Sequence, residues 1–377
     1  MAVEHRCVSS ILSVLASLAL AGCALVDGSP SGQVSGRARS GSSRPNQLKG
    51  GAVTIAAVGD TMLGMTPTLP PSPASYFSRV KRQLSGDIVF GNLEGTLTDV
   101  SESPKCGAGS SECFAFRAPP EFGQALRAAG FTLMSNANNH SFDYGQAGEE
   151  ETLRALERAG IFQTGLPGEI TTVRAAGLRL AFVGFAPYDN TASLTDLTTA
   201  RDLIRDAAEH ADIVVCAFHA GAEGTDAQHV TGEEEIYLGE DRGNPEEFAH
   251  MAIDAGADLI LGSGPHVLRG MEIYRRRLIA YSLGNFSGFH NFALEGSLGE
   301  SVVLRATLAG DGSFETGRLA SVRLVEAGQP VPDPNGAGAE LISTLSDEDF
   351  GRTAVSVDSD GRLRSPARPA SSARGAG

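Results

Sequence analysis

Short apolar runs recur along the chain from Val53 onward, each followed by a polar cluster and a longer mixed segment. The runs are Val53–Val58, Ile88–Phe90, Phe131–Met134, Leu178–Val183, Ile213–Phe218, Leu259–Leu261 and Leu278–Tyr281. Their length and their Val, Ile, Leu and Phe content predict buried strands. Three segments between them carry helix-end signals. Asn244-Pro245-Glu246-Glu247 offers an N-cap, a proline at the first helical position and acids in the first turn. That helix is predicted to stop at Ala255-Gly256. Pro120 to Ala129-Gly130, and Glu149 to Ala159-Gly160, end in the same way. Strands alternating with helices predict an α/β domain with a substantial parallel component. No repeat and no second domain boundary interrupts residues 51–325.

The first residues have another pattern. A short polar start with Arg6 leads into the apolar stretch Ile11–Ala21, which is too short for a comfortable membrane-spanning helix. It fits the apolar region of a signal peptide. It ends in Leu20-Ala21-Gly22-Cys23, which resembles a bacterial lipobox. The expectation is a signal peptide over residues 1–22 and a lipid on Cys23. That places the protein at the cell membrane, anchored and facing outside the cytoplasm. An ordinary secretory signal with a chance cysteine is the alternative. Residues 23–50, rich in Ser, Gly and Arg from residue 27 on, read as a flexible tether. The folded domain is expected over 51–328, an extension packing on it over 329–364, and a disordered tail over 365–377.

Composition narrows the function classes. The apolar share, 41%, suffices for a sizeable core. A net charge of −15 argues against a nucleic-acid partner and is compatible with cation binding. P-loop and dinucleotide fingerprints are absent. Cys106 and Cys113 flank a short polar loop and, in an exported chain, read as a disulfide, with a metal clip as the alternative. Cys216, in an apolar run, reads as a buried free thiol.

The residues at the end of each strand are more informative. Val58 runs into Gly59-Asp60, Phe90 into Gly91-Asn92-Leu93-Glu94, and Met134 into Ser135-Asn136-Ala137-Asn138-Asn139-His140. Phe218 runs into His219, Leu261 into Gly262-Ser263-Gly264-Pro265-His266, and Tyr281 into Ser282-Leu283-Gly284-Asn285. In open α/β sheets ligands bind at the carboxyl ends of strands. Carboxylate, amide and imidazole together suit a divalent metal such as Mn, Fe or Zn. Singly, each residue has a plainer reading: Asp60 as a turn or helix cap, His219 as a satisfied core histidine, Asn138 and Asn139 as turn caps. Six strands ending alike favour one shared site.

These motifs, in this order, resemble the poly-γ-glutamate capsule-synthesis (CapA-type) family of the calcineurin-like metallophosphatase superfamily. The carrying residues are Ala57-Val-Gly-Asp60-Thr-Met-Leu63, Gly91-Asn-Leu-Glu94, Asn138-Asn-His-Ser-Phe-Asp143-Tyr-Gly145, Phe218-His-Ala-Gly-Ala-Glu223, Gly264-Pro-His-Val-Leu-Arg269 and Tyr281-Ser-Leu-Gly-Asn-Phe286. The cysteine pair before Phe114-Ala-Phe-Arg117 is similar too. The likeness runs from about Val53 to Phe286 and more weakly to about Leu363.

The resemblance implies a single-domain, metallophosphatase-like four-layer αββα sandwich. It implies one or two divalent ions held by Asp60, Glu94, Asn139, His219 and His266. His140 would protonate a leaving group, and Asn92, Asn138, Arg269 and Asn285 would contact substrate. Arg269 has a second reading, pairing with a neighbouring acid, and so has Arg117; Asn285 has two more, orienting a ligand or closing a turn. The superfamily's Asp-x-His is here Asp60-Thr61-Met62, and Ser263-Gly264 precede His266 where a first histidine stands. The acid that comes after Asn-His is displaced to Asp143. Glu233-Glu234-Glu235 reads as a solvated face, and Glu240-Asp241-Arg242-Gly243 as a lid over the site. The resemblance leaves three functions open: a protein of anionic-polymer synthesis, with polymer-synthesis and export proteins as partners; a metal-dependent phosphoesterase; or a scaffold that kept the fold alone.

Overall fold

The structure, a computed structural model, describes residues 51–106 and 113–366. The expected signal peptide, Cys23, the tether and the tail beyond residue 366 lie outside these residues. Among the described residues no helix is long and apolar enough to cross a membrane.

Two large sheets form the middle of the domain. The first has ten strands and is built on Ala52–Met62. Ile88–Leu93, Leu133–Ser135 and Phe162–Thr164 lie in parallel on one side. The antiparallel hairpin of Glu300–Ala309 and Phe314–Val325 lies on the other side. The second sheet has seven strands. Its parallel centre is Leu178–Ala186, Ile213–His219, Leu259–Ser263 and Arg277–Ala280.

Alternation along the strands sets the layers. Val53, Ile55 and Ala57 face the space between the sheets, where they meet Phe182, Val215 and Leu261. Ala56 and Val58 point the other way, into a cluster with helices α1 (Phe122–Ala129) and α2 (Gly145–Ala159). In the second sheet Val214, Cys216 and Phe218 point outward, toward α3 (Leu197–His210) and α4 (Pro245–Ala255). Both faces of each central strand are therefore buried, which is why the strands read as continuous apolar runs. The result is the four-layer αββα sandwich that the resemblance implies.

The helix ends agree with the sequence in part. Asn244 caps α4, its Oδ1 accepting from the Glu247 N–H at 3.0 Å. Helix α2 starts at Gly145, earlier than the predicted Glu149. Helix α3 has no counterpart among the predicted helices, although Asp196 caps it by accepting from the N–H groups of Thr198 and Thr199. The segment after Gln329 is part of the core. Gln329–Pro332 joins the first sheet, and Ala339 and Ile342 of α5 (Ala337–Phe350) enter the cluster between the sheets. Cys106 and Cys113 are joined, and Cys216 is a buried free thiol whose pKa burial pushes well up.

Candidate metal centre

Parallel register brings the polar strand ends together. Asp60 stands beside Asn92 on one side and Asn285 on the other, Asn92 beside Ser135, and His219 beside Ser263. The strand that carries Asp60 is irregular on both sides of that residue. Gly59 lets the Leu283-Gly284 turn approach, since a Cβ there would meet the Gly284 carbonyl oxygen at 2.0 Å. The Asp60 N–H donates to that oxygen at 2.9 Å.

Asp60, Glu94 and His266 offer ligand atoms within 4.8 Å of one another. His266 Nδ1 lies 3.1 Å from Asp60 Oδ2, and its Nε2 lies 3.5 Å from Glu94 Oε1. His219 comes from the second sheet, with Nδ1 3.6 Å from Asp60 Oδ1 and Nε2 3.9 Å from Glu94 Oε1. His266 holds φ at +60°, a left-handed conformation rare for a non-glycine residue and typical of strained functional positions.

The donor atoms are the test of whether this cluster suits a cation. Both carboxylate oxygens of Glu94, Oδ1 of Asn139 and Nε2 of His219 are buried without any hydrogen-bond partner. A buried polar atom left unpaired costs about 1–3 kcal/mol, more if charged. A divalent cation would supply the partner that the Glu94 oxygens and His219 Nε2 lack, and mixed carboxylate and imidazole donors suit Mn, Fe or Zn. The residues fit the group.

The electrostatics agree. Burial raises the Asp60 pKa, but hydrogen bonding and charge from His219 and His266 outweigh it and hold the carboxyl far below the usual range. Burial pushes Glu94 well up, His266 opposes this, and the charges of Asp60, Glu223 and Asp143 add to the rise. His266 is depressed by burial but raised to about 10 by Glu94, Asp60 and Glu223. In His219 burial wins and the pKa falls.

His140 stands apart from this cluster with its own partners. Its Nδ1 meets Asp143 Oδ2 at 2.8 Å, so the displaced acid reaches the histidine from three residues on. The other Asp143 oxygen accepts from Lys105 Nζ at 2.6 Å, and the Phe116 N–H donates to Oδ2 at 2.7 Å. Lys105 Nζ also donates to the Asn139 carbonyl at 2.8 Å. Burial lowers the His140 pKa, Asp143 opposes this, and Lys105 adds to the fall.

The four residues assigned to substrate contact all have partners within the protein. Asn92 Nδ2 donates to Asp60 Oδ1 at 2.8 Å and lies 3.1 Å from His219 Nδ1. Asn138 donates to Asn92 Oδ1 and to the Leu93 carbonyl. Asn285 Oδ1 meets His266 Nδ1 at 2.9 Å. All three are buried; Asn92 and Asn285 contact candidate ligands directly, and Asn138 holds Asn92. Arg269 is 1% exposed, and Glu235 holds it in a two-point pair at 2.8 and 2.7 Å. It pairs with an acid, the second of its two readings. Glu235 therefore leaves the acidic run read as a solvated face, while Glu233 and Glu234 stay exposed. Arg117 lies over the Tyr144 ring.

Lys105 and Glu223 have no role predicted from the sequence, and Arg242 only that of part of a lid. Lys105 precedes the disulfide, and no spacing rule ties it to His140. Glu223 accepts from Arg242 Nη1 at 3.0 Å, and its Oε2 lies 3.7 Å from His266 Nε2. Arg242 packs between the rings of Tyr188 and Tyr237. It comes just after a small hairpin of Ile236–Tyr237 and Glu240–Asp241, and so ties the expected lid segment to the site wall. The motif ending in Glu223 is the signal available for that residue.

Fold and site together define an αββα sandwich protein with a candidate divalent-metal centre at the carboxyl ends of both sheets. Residues 54–288 match the family described as bacterial capsule synthesis protein PGA_cap, and the chain belongs to that family. It is 30% identical over 319 residues to protein y4sH of Sinorhizobium fredii, covering 65% of this chain and 68% of that one. It is 29% identical over 261 residues to the capsule biosynthesis protein CapA of Bacillus anthracis, covering 62% of this chain and 59% of that one. The PGA biosynthesis protein CapA of Bacillus subtilis matches at 29% over 255 residues, 62% and 63% of the two chains. Among solved structures, a 5′-nucleotidase precursor from Thermus thermophilus is 14% identical with a TM-score of 0.39, covering 79% of this chain and 59% of that one. A purple acid phosphatase from yellow lupin is 11% identical with a TM-score of 0.36, covering 74% and 52%.

Proposed function

We propose that this chain is a lipid-anchored cell-envelope protein of poly-γ-glutamate-type polymer synthesis whose centre hydrolyses a phosphoester with a divalent metal. The observation that carries the chemistry is the set of unpaired buried donors on Glu94 and His219 beside Asp60 and His266. The family and the CapA relatives support the polymer context. The sequence Leu20–Cys23 supports the anchor.

Asp60, Glu94, Asn139, His219 and His266 would hold the metal. When bound, it supplies Lewis acidity and a more acidic water. The chain's own residues do the rest. Asn92, Asn138 and Asn285 fix the ligand side chains. Asp143 holds His140 by Nδ1, leaving Nε2 to protonate a departing oxygen. Lys105 balances the buried Asp143 charge. The Phe116 ring, 4.5 Å from the imidazole, keeps water from one side of it.

Elemental analysis of the purified chain tests the centre. The wild type should carry Mn, Fe or Zn, and an Asp60→Ala/His266→Ala variant should carry almost none. Equal, near-zero metal in both would sink the proposal. The anchor has a separate test. Cys23→Ala should move the protein from the membrane fraction to the soluble one, and unchanged membrane association would refute lipidation at that residue.

A further inference from the structure

The loop that follows the strand of His219 packs against the loop that carries His266. The Ala220 N–H donates to the Ser263 carbonyl at 3.0 Å, and the Gly224 N–H to the Pro265 carbonyl at 3.0 Å. The approach is close enough to exclude a side chain at Gly264. Its φ is +115°, and a Cβ there would meet the Ala220 backbone nitrogen at 2.8 Å and oxygen at 2.9 Å. Space that a side chain at position 264 could fill is therefore taken by this loop. Residues 220–224 carry one side chain able to bind a metal, Glu223.

The two oxygens of Glu223 have different surroundings. Oε1 accepts from Arg242 Nη1 at 3.0 Å. Arg242 is itself buried, with Nε donating to Glu240 at 3.0 Å and the rings of Tyr188 and Tyr237 on its guanidinium. Oε2 has no hydrogen-bond partner among the described residues and lies 3.7 Å from His266 Nε2. That nitrogen is also 3.5 Å from Glu94 Oε1, another oxygen without a hydrogen-bond partner. The other His266 nitrogen meets Asn285 Oδ1 at 2.9 Å. Two donors that share one ion at about 2.0–2.2 Å each stand roughly 3–4 Å apart. Both separations at Nε2 suit a shared ion. Metal-binding imidazoles and carboxylates are usually oriented by a hydrogen bond to their second polar atom. Asn285 does this for His266, and Arg242 does it for Glu223. The side chains of Glu94 and His219 are 0% exposed, whereas those of Glu223 and His266 are each 16% exposed. Glu223 thus stands on the side from which an ion can enter.

We propose that Glu223 is a further ligand of the metal centre, binding through Oε2 beside His266 Nε2 and Glu94 Oε1, with Arg242 as the residue that positions it. This rests on the metal-binding reading above and adds to its ligand set. The added ligand comes from a loop and not from a strand end. It also joins the hairpin of Ile236–Tyr237 and Glu240–Asp241 to the centre, because Arg242 directly follows that hairpin.

Calorimetric titration of the metal-depleted full-length chain with Mn(II), and separately with Zn(II), tests the idea without turnover. Glu223→Gln keeps the side chain's shape and an oxygen for Arg242, so the metal-free variant should melt as the wild type does. Its metal affinity should fall by at least about 10-fold, since even an outer partner of a metal ligand is worth roughly 10- to 100-fold. Glu240→Gln is the control, because Glu240 also pairs with Arg242 but is 58% exposed. It should leave metal affinity unchanged. Equal affinity in the wild type and Glu223→Gln overturns the assignment of Glu223 alone. A comparable loss in Glu240→Gln overturns it too, since the effect then runs through the packing of Arg242. Failure of the wild type to bind either ion overturns this ligand and the metal centre together.

Discussion

Replacing His140 with alanine is expected to lower kcat on an alkyl phosphoester by about two to four orders of magnitude, the usual contribution of a positioned acid or base. Metal content should stay near wild type, because His140 is not among the proposed ligands. The loss should depend on the leaving group. An alkoxide leaves poorly and needs the proton, whereas a nitrophenolate leaves without it. The His140 deficit should therefore shrink sharply on nitrophenyl phosphate. The pH profile gives a second check. Burial lowers the His140 pKa below its ordinary value of 6.5, so the protonated form is lost at a pH below that value. Wild-type kcat on the alkyl substrate should fall as pH rises through that region, and the limb should vanish in His140→Ala. Asp143→Asn should fall between wild type and His140→Ala, since it keeps a hydrogen bond to Nδ1 and loses the charge. An equal loss on both substrates would place His140 in the scaffold instead of the chemistry.

The legible and illegible parts of the sequence divide along physical lines. The central strands are readable because burial on both faces makes them short and uniformly apolar. The long hairpin of Glu300–Ala309 and Phe314–Val325 escapes that pattern because its outer strand alternates. Gly317 and Leu319 are buried while Glu315, Thr316 and Arg318 are exposed. The candidate ligands are readable because parallel strands deliver their last residues to one edge, and a polar residue after each apolar run marks that edge. The roles of Asn92 and Asn138 are not, and Asn285 keeps more than one reading, since ligand and ligand-orienting side chains sit equally close to a strand end. Register separates them. Asp60 pairs along the sheet with both Asn92 and Asn285, and each amide then turns to a neighbouring histidine. Lys105 and Arg242 reach the site from loops, where no periodicity records a contact.

Arg269 shows how burial decides between two readings that the sequence leaves open, and its removal should be strongly destabilising. Its Nε donates to the Ala227 carbonyl at 2.7 Å, and its two terminal nitrogens engage both oxygens of Glu235. Glu235 Oε2 also accepts from the Ala222 N–H at 2.7 Å. Gly221 allows this approach, since a Cβ there would meet Arg269 Nη1 and Glu235 Oε2, each at 2.9 Å. The pair thus joins the loop after His219, the segment before Arg242 and the strand-end loop that carries His266. With side-chain exposures of 1% and 12%, solvent screens it little. Arg269→Ala leaves Glu235 buried without its partner, at a cost of about 3–5 kcal/mol. Urea denaturation should show that loss, and metal affinity should fall with it because Glu223 and His266 lose their backing. Arg269→Met/Glu235→Leu removes both charges and should recover most of the stability, since well-packed apolar residues often replace a buried pair at little cost. A substrate-binding arginine would behave in the opposite way, with unchanged stability and a raised KM. That result would return Arg269 to the substrate and leave the Glu235 pair as a resting arrangement that substrate breaks.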